Sequence, residues 1–345
     1  MSDRIKAIGL VSGGLDSALA VEVVKQQGIE IIGLHYFNGF SPEAIRIEVR
    51  GREELRAFQD ERALELGANL GVPVEIVDIS DQYLDLLIEP KHGFGANVNP
   101  CIDCRIFMLK DARRRMDGAG ARFIFTGEVL GQRPMSQHRR AMSAVERESG
   151  LAGYLLRPLS ARLLPETVPE MEGLIDREAM LDIQGRSRKR QIALAGRLGI
   201  TGYSQPAGGC VLTDENYARK FKDMISHAPA RSLTRRMAVL LGIGRHFRLS
   251  DSVKLVVGRE KLENHYLERE WSDYWLAMPI DAPGPTTLVL GEATKGNLET
   301  AAAVTARYSD AKREASVSIR LTRGDERLSF DVEPAADSEI GPYRI

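Results

Sequence analysis

The chain has 345 residues, of which 43% are hydrophobic and 28% charged, and its formal net charge is -1. That composition excludes a disordered chain, and no apolar stretch approaches the roughly 20 residues that a membrane-spanning helix needs. Near-neutral charge removes a global basic field as a route to nucleic acid, so any RNA-binding face has to be local. The length predicts two domains at about 150 residues each. Cys101, Cys104 and Cys210 are the only cysteines, too few and odd in number for a disulfide framework. Residues 1–4 lead straight into an apolar run with no signal-peptide pattern, so the expectation is a cytoplasmic protein without membrane contact.

In chain order, residues 5–11 form an apolar run that predicts a buried strand, and residues 17–26 predict a helix. Between them stands Ser12-Gly13-Gly14-Leu15-Asp16-Ser17. Gly13 and Gly14 let the backbone approach an anion, the unpaired N–H groups of the helix start point at it, and Ser12 and Ser17 add hydroxyls. No Gly-Lys-Ser/Thr closes the loop, so it is not a Walker loop. Asp16 beside phosphate calls for a bridging cation and is assigned to Mg²⁺; its plainer role is that of an acid at a helix N-terminus. Residues 29–35 and 74–78 read as strands and residues 53–70 as a helix between them.

Asn99-Pro100-Cys101-Ile102-Asp103-Cys104-Arg105 precedes a helical stretch at 105–116 and is expected to put Cys104 at a helix N-terminus, where a thiol pKa falls. The Cys-x-x-Cys spacing alone is compatible with a redox pair, a zinc site or a cluster site. Residues 123–125 and 155–156 read as further strands, and Thr126-Gly127-Glu128 closes the first of them. The polar stretch 131–137, with Gln132, is suited to reading a nucleotide or to an ordinary loop. Strand–helix alternation predicts a parallel sheet covered on both faces, with ligands at the carboxyl ends of the strands.

Residues 165–198 read as helical and carry Arg186, Arg188, Lys189 and Arg190. With Arg113 and Arg114 these are candidate RNA-phosphate contacts, although a solvated helix face is the plainer role for any one of them. A loop follows, Pro206-Ala207-Gly208-Gly209-Cys210, whose glycines would let a single thiol approach a partner closely. Three cysteines, two of them at Cys-x-x-Cys spacing, can ligate a [4Fe–4S] cluster and leave one iron open; zinc with a fourth ligand, or a nucleophile and resolving pair, are the alternatives. From about residue 230 short alternating runs predict a smaller α+β domain. The expected boundaries are 1–228, 229–335 and a loose tail at 336–345.

Ser12–Ser17 matches the SGGxDS signature of the PP-loop ATP pyrophosphatases. Together with Cys104-Arg105, Met108-Leu109 and Ala112, Thr126 to Gln132, Ser136-Gln137, Leu156-Arg157-Pro158-Leu159 and Cys210, it resembles the catalytic domain of tRNA 4-thiouridine synthases over residues 1–225. The chain is similar, more distantly, to the tRNA 2-thiouridylases. The resemblance implies ATP-dependent thiolation of a tRNA uridine, with 4-thiouridine favoured over 2-thiouridine. ATP adenylates the carbonyl oxygen, pyrophosphate leaves, and sulfur then displaces AMP. It implies ATP contacts by Ser12, Gly13, Gly14, Asp16, Ser17, His35, Gly127 and Gln132, and sulfur delivery by Cys104 and Cys210. Cys101 is extra and resembles the third ligand of cluster-dependent thiolases. The partners implied are tRNA and a sulfur donor, either free sulfide or a cysteine desulfurase. The family's usual N-terminal RNA-binding module does not precede the loop, and no rhodanese segment follows. Residues 254–267, with Val257-Gly258-Arg259 and Asn264, resemble the RNA-binding domain of NFACT-type proteins, which would supply the missing grip. Rival readings are a sulfurtransferase acting on a small molecule and a non-catalytic RNA-binding protein.

Overall fold

A computed structural model describes residues 4–203, 209–227 and 233–345. Pro206, Ala207 and Gly208 of the expected thiol loop therefore lie outside the described residues. The elements run β1 (Lys6–Leu10), α1 (Leu15–Lys25), β2 (Glu30–Phe37), α2 (Pro42–Arg50), α3 (Arg52–Leu70), β3 (Val74–Asp78), α4 (Ser80–Ile88), α5 (Cys101–Gly118), β4 (Ala121–Thr126), α6 (Arg139–Glu148), β5 (Leu155–Leu156), α7 (Val168–Met171) and α8 (Lys189–Leu198). They continue with α9 (Glu215–His227), α10 (Arg235–Gly242), β6 (Arg245–Ser250), β7 (Val253–Val257), α11 (Lys261–Glu270), β8 (Trp275–Pro279), β9 (Thr287–Gly291), α12 (Lys295–Arg307), β10 (Val317–Arg323), β11 (Glu326–Val332) and α13 (Asp337–Ile340).

The chain divides into two compact units, residues 1–41 with 55–210 and residues 42–54 with 211–345. The boundary expected at 228/229 falls inside the second unit. In the first unit a parallel sheet has the order β3-β2-β1-β4-β5. Ala7, Ile8 and Leu10 of β1 are buried, as a central strand covered on both faces requires. The strand order reverses direction at β1, so the crevice beyond its carboxyl end is where an open sheet of this kind takes a ligand. Ser12–Ser17 occupies that position. Leu15, Leu19 and Val23 of α1 join Phe123, Phe125 and Ala195 in one core.

Residues 165–198 are helical only in α7 and α8; between them the backbone follows turns stapled to the 157–160 segment, with Leu181 N–H donating to Pro158 O and Ile183 N–H to Leu159 O. Helical periodicity there reflected burial against that segment, since Ile175, Met180 and Ile183 are all core residues.

The second unit holds a six-stranded antiparallel sheet, β11-β10-β8-β9-β7-β6. The alternating runs predicted four of its strands; β6 and β8 escaped. Leu298, Ala301, Ala302 and Val304 of α12 cover the sheet. The terminal segment is not loose, contrary to expectation: Ile340 is buried in the same core, Arg307 pairs with Asp337, and Ile345 N–H donates to His246 O. The Val-Gly-Arg…Asn string shapes the turn from β7 into α11. Asn264 Oδ1 accepts from Thr286 N–H at 3.1 Å, and Arg259 N–H donates to Glu263 at 2.7 Å.

Candidate functional site

The loop after β1 is organised by its own serines. Ser17 Oγ–H donates to Gly14 O at 2.8 Å, and Ser12 N–H donates to Ser17 Oγ at 3.2 Å. Gly14 caps α1 without a side-chain bond, so the orphan N–H groups of the first turn are left for a ligand. Gly13 has φ of +75°, and a Cβ there would meet Leu66 at 2.9 Å and Arg62 Nη2 at 3.3 Å. The sequence reading missed Arg62: on α3 it looked like one more charge on a helical face, yet the fold sets its guanidinium beside Gly13.

Gly127 serves by having no side chain. A Cβ would lie 2.6 Å from the carbonyl of Asp16 and the nitrogen of Ser17, so only glycine lets the end of β4 meet the start of α1. Gln132 Nε2 donates to Asp16 Oδ2 at 2.9 Å. Asp16 Oδ1 and Gln132 Oε1 are buried with no hydrogen-bond partner among the described residues. An orphaned carboxylate oxygen at an anion-binding helix start fits a divalent cation carried with a nucleotide. His35 Nδ1–H donates to Val11 O at 2.8 Å. Burial, with the Arg62 cation nearby, brings its pKa down to about 4, so the ring is neutral and Nε2 is left as an acceptor.

The cysteine-bearing helix begins at Cys101 rather than at Arg105, so both Cys101 and Cys104 sit in its first turn. The expected low thiol pKa is overturned: burial pushes Cys104 up, against the Tyr83 hydroxyl and Arg105, which favour the thiolate. Cys101 is likewise raised by burial, opposed by Arg133 and Arg105. Desolvation of a charged sulfur outweighs the helix dipole here. All three cysteines are reduced and half-buried by residue.

Tyr83 of α4, wholly buried, joins them. Its phenol is pushed far up by burial and then by Cys104, Cys210 and Cys101 in that order, and Cys104 is the sulfur it bonds. Its Oη has no hydrogen bond of ordinary geometry among the described residues and is left for the Cys104 sulfur. Tyr83 thus meets the cysteine turn at Cys104, while Cys101, Cys104 and Cys210 are not gathered as the expected cluster ligands. Among the described residues no three His, Cys, Asp or Glu side chains are grouped to hold a metal ion.

Glu128 ties the sulfur side of the site to the phosphate side. Its carboxylate meets Arg105 Nε at 3.2 Å and Arg157 Nε at 3.1 Å, and it is 3% exposed. Burial alone would raise its pKa, but Arg105 and Arg157 bring it below the usual carboxylate range. Arg105 follows Cys104, and Glu128 follows the Gly127 that touches Asp16, so sulfurs and phosphate loop share one edge of the sheet.

The candidate RNA contacts divide. Arg113 and Arg114 pair with Asp117 and Asp111 along α5. They stand about 15 Å down the helix from Cys104, towards the amino edge of the sheet. Arg186, Lys189 and Arg190 are exposed at the start of α8, with Arg190 bonded to Asp182. Arg188 is half-buried there, its Nε unpartnered among the described residues.

The parallel five-stranded sheet with its helices is of the HUP type, and residues 5–168 match the family model "tRNA methyl transferase HUP domain". Residues 244–344 match the "NFACT protein RNA binding domain". The chain is similar to the tRNA thiouridine synthases. A tRNA-specific 2-thiouridylase of Corynebacterium jeikeium is 33% identical over 103 residues, covering 29% of this chain and 26% of that protein. A probable tRNA sulfurtransferase of Thermococcus kodakarensis is 28% identical over 155 residues, covering 45% and 36% respectively. The chain thus spans about a third or less of these relatives. A solved 4-thiouridine synthetase–RNA complex with bound ATP aligns over 61% of this chain and 46% of its own, at 20% identity and a TM-score of 0.39. No helix among the described residues is long and apolar enough to cross a membrane.

Proposed function

We propose that the protein is an ATP-dependent tRNA sulfurtransferase, acting on a uridine and favouring 4-thiouridine over 2-thiouridine. The observation that carries this reading is the meeting of an uncapped Gly-rich helix start with the Cys101–Cys104 turn, joined through Gly127, Glu128 and Arg105 at a single sheet edge. The two relatives named above thiolate tRNA by name, and the match of residues 244–344 to an RNA-binding family favours RNA over a small molecule.

The uridine carbonyl oxygen attacks the α-phosphate of ATP and pyrophosphate leaves. Sulfur then attacks the activated carbon, and AMP departs with the oxygen. Gly13, Gly14 and the first turn of α1 hold phosphate oxygens, and Arg62 adds positive charge. Asp16 would hold Mg²⁺, which neutralises charge on the departing phosphates, with Gln132 fixing the carboxylate. Gly127 keeps β4 against this turn. Neutral His35 would accept a hydrogen bond from the nucleotide through Nε2.

A [4Fe–4S] cluster on Cys101, Cys104 and Cys210 would supply a site for sulfide, but it requires the three sulfurs to draw closer than the grouping described above; a persulfide on Cys104 or Cys210 is the alternative. Tyr83 stabilises the Cys104 thiolate, and Glu128 with Arg105 and Arg157 fixes the first turn of α5. The target base must be unstacked to reach the site. Sulfide or a cysteine desulfurase would supply sulfur, and the setting would be the cytoplasm.

Incubation of the chain with unmodified tRNA, ATP, Mg²⁺ and sulfide is expected to yield 4-thiouridine and AMP in equal amounts, read by nucleoside mass spectrometry. ATP turnover without any thiouridine overturns the substrate assignment, and 2-thiouridine in its place overturns the position. Anaerobic purification is expected to give iron and acid-labile sulfide; their absence removes the cluster and leaves the persulfide route.

A further inference from the structure

The basic segment before α8 lies at the phosphate edge of the first unit. Leu130 and Gln184 form a parallel bridge, and Gly185 N–H donates to Leu130 O at 2.7 Å. Leu130 is two residues from Gln132, which bonds Asp16. At the other end, a Cβ on Gly202 would lie 3.2 Å from Asn69, near the close of α3 and the amino edge of the sheet. Helix α8 therefore runs in the same direction as α1 and packs beside it, so two helix starts face the same crevice.

Two side chains at the start of α8 have unmet hydrogen-bonding capacity. Gln191 is 0% exposed, and neither its Oε1 nor its Nε2 has a partner among the described residues. One turn on, Ala195 lies in the core that contains Leu15 and Leu19, so Gln191 is on the face turned to α1. As the third residue of the helix, its side chain leans back over the first turn. Arg188, immediately before the helix, has its buried Nε unpartnered as well. Orphaned amide and guanidinium donors at a helix N-terminus suit an anion, and Asp16 Oδ1 and Gln132 Oε1, also orphaned among the described residues, would suit the cation that travels with a phosphate.

We propose that the first turn of α8 is a second phosphate seat, in which Arg188 and Gln191 grip the β- and γ-phosphates of ATP opposite the Ser12–Ser17 loop and retain pyrophosphate as it leaves. The proposal rests on the ATP-dependent reading above. It assigns Arg188 to the nucleotide, where the sequence reading assigned it to RNA.

Calorimetric binding of ATP, inorganic pyrophosphate and AMP, with Mg²⁺ present, tests it on the whole chain. Arg188→Ala and Gln191→Leu are each expected to weaken ATP and pyrophosphate by about tenfold or more, the loss of one hydrogen bond to a charged group, and to leave AMP and tRNA affinity unchanged. Gln191→Leu removes an unpartnered amide and is expected to melt no lower than the parent, whereas a merely structural glutamine would melt lower. Gln191→Glu keeps the shape and sets a negative charge in the seat, so it should weaken pyrophosphate further; Arg188→Lys should recover part of the loss. Unchanged pyrophosphate affinity in folded Arg188→Ala and Gln191→Glu chains overturns the seat, as does a loss confined to tRNA. A parent chain that binds neither ATP nor pyrophosphate overturns the functional reading itself.

Discussion

At Gly127 a hydrogen atom stands where any side chain would strike the backbone of Asp16 at 2.6 Å. Gly127→Ala must push β4 away from α1, at a cost of about 1–3 kcal/mol. It should also uncouple Gln132 from Asp16, so ATP-to-AMP turnover is expected to fall more than the melting temperature accounts for. His35 gives a pH dependence with a definite sign. Its folded pKa of about 4 lies below the ordinary 6.5 because burial and Arg62 oppose the charge. The unfolded chain takes up a proton where the folded chain does not, so stability is lost as pH falls from about 6.5 towards about 4. The slope for this one group approaches ~1.4 kcal/mol per pH unit. Urea midpoints across that interval should fall for the parent and fall less steeply for His35→Gln. Tyr83→Phe deletes a buried hydroxyl whose one available partner is the Cys104 sulfur. It should leave stability level or higher, and slow alkylation of Cys104 at a given pH, since the thiolate loses its donor. Peptide mass spectrometry after timed alkylation reads this directly.

At the scale of elements, α5 shows why position on a helix does not by itself set a thiol pKa. Placing Cys104 in a first turn was legible from Pro100 and the apolar periodicity that follows; that the turn would be packed against Tyr83 was not. The same helix is anchored through Arg105 to Glu128 at the end of β4, and through Arg157 beyond β5 to Glu146 of α6. Such a network of buried charges specifies geometry more than it adds stability. Glu128→Ala leaves two guanidiniums without their shared carboxylate and is expected to cost about 3–5 kcal/mol in chemical denaturation. Glu128→Gln retains the shape and should cost less while still loosening the cysteine turn. Helix α8 belongs to the same scale: its arginines read as an RNA face in sequence, and its direction beside α1 is what the proposed seat for phosphate at Arg188 and Gln191 depends on.

At the scale of the molecule, the chain leaves the first unit after residue 41 and returns at residue 55, lending α2 to the second unit. There Ile45 is 6% exposed, Gly242 of α10 packs so closely on it that a Cβ would lie 2.8 Å away, and Glu48 accepts from Arg235 at 3.0 Å. Residues 211–345 therefore do not contain the whole of their own core. Ile45→Ala is expected to cost about 2–5 kcal/mol, though Gly242, which packs on it, stands far along the chain beyond the whole of the first unit. Hydrogen exchange should show the loss in β6, β7 and α10 and spare the parallel sheet. Uniform deprotection of both units would contradict this division.

The sequence alone determined the parallel sheet and the Gly-rich turn at its first strand, because hydrophobic period and glycine spacing are local properties of the chain. It also determined four of the six antiparallel strands, whose alternation is strong; β6, with Arg245, His246 and Arg248, hides its period behind charge. Tertiary structure alone decided which groups meet: Arg62 at Gly13, Tyr83 at Cys104, Gln132 on Asp16, and α2 in the unit built from residues 211–345. Those meetings join residues far apart in the chain and are fixed by burial, and burial is also what raised the thiols that the helix start alone would have lowered.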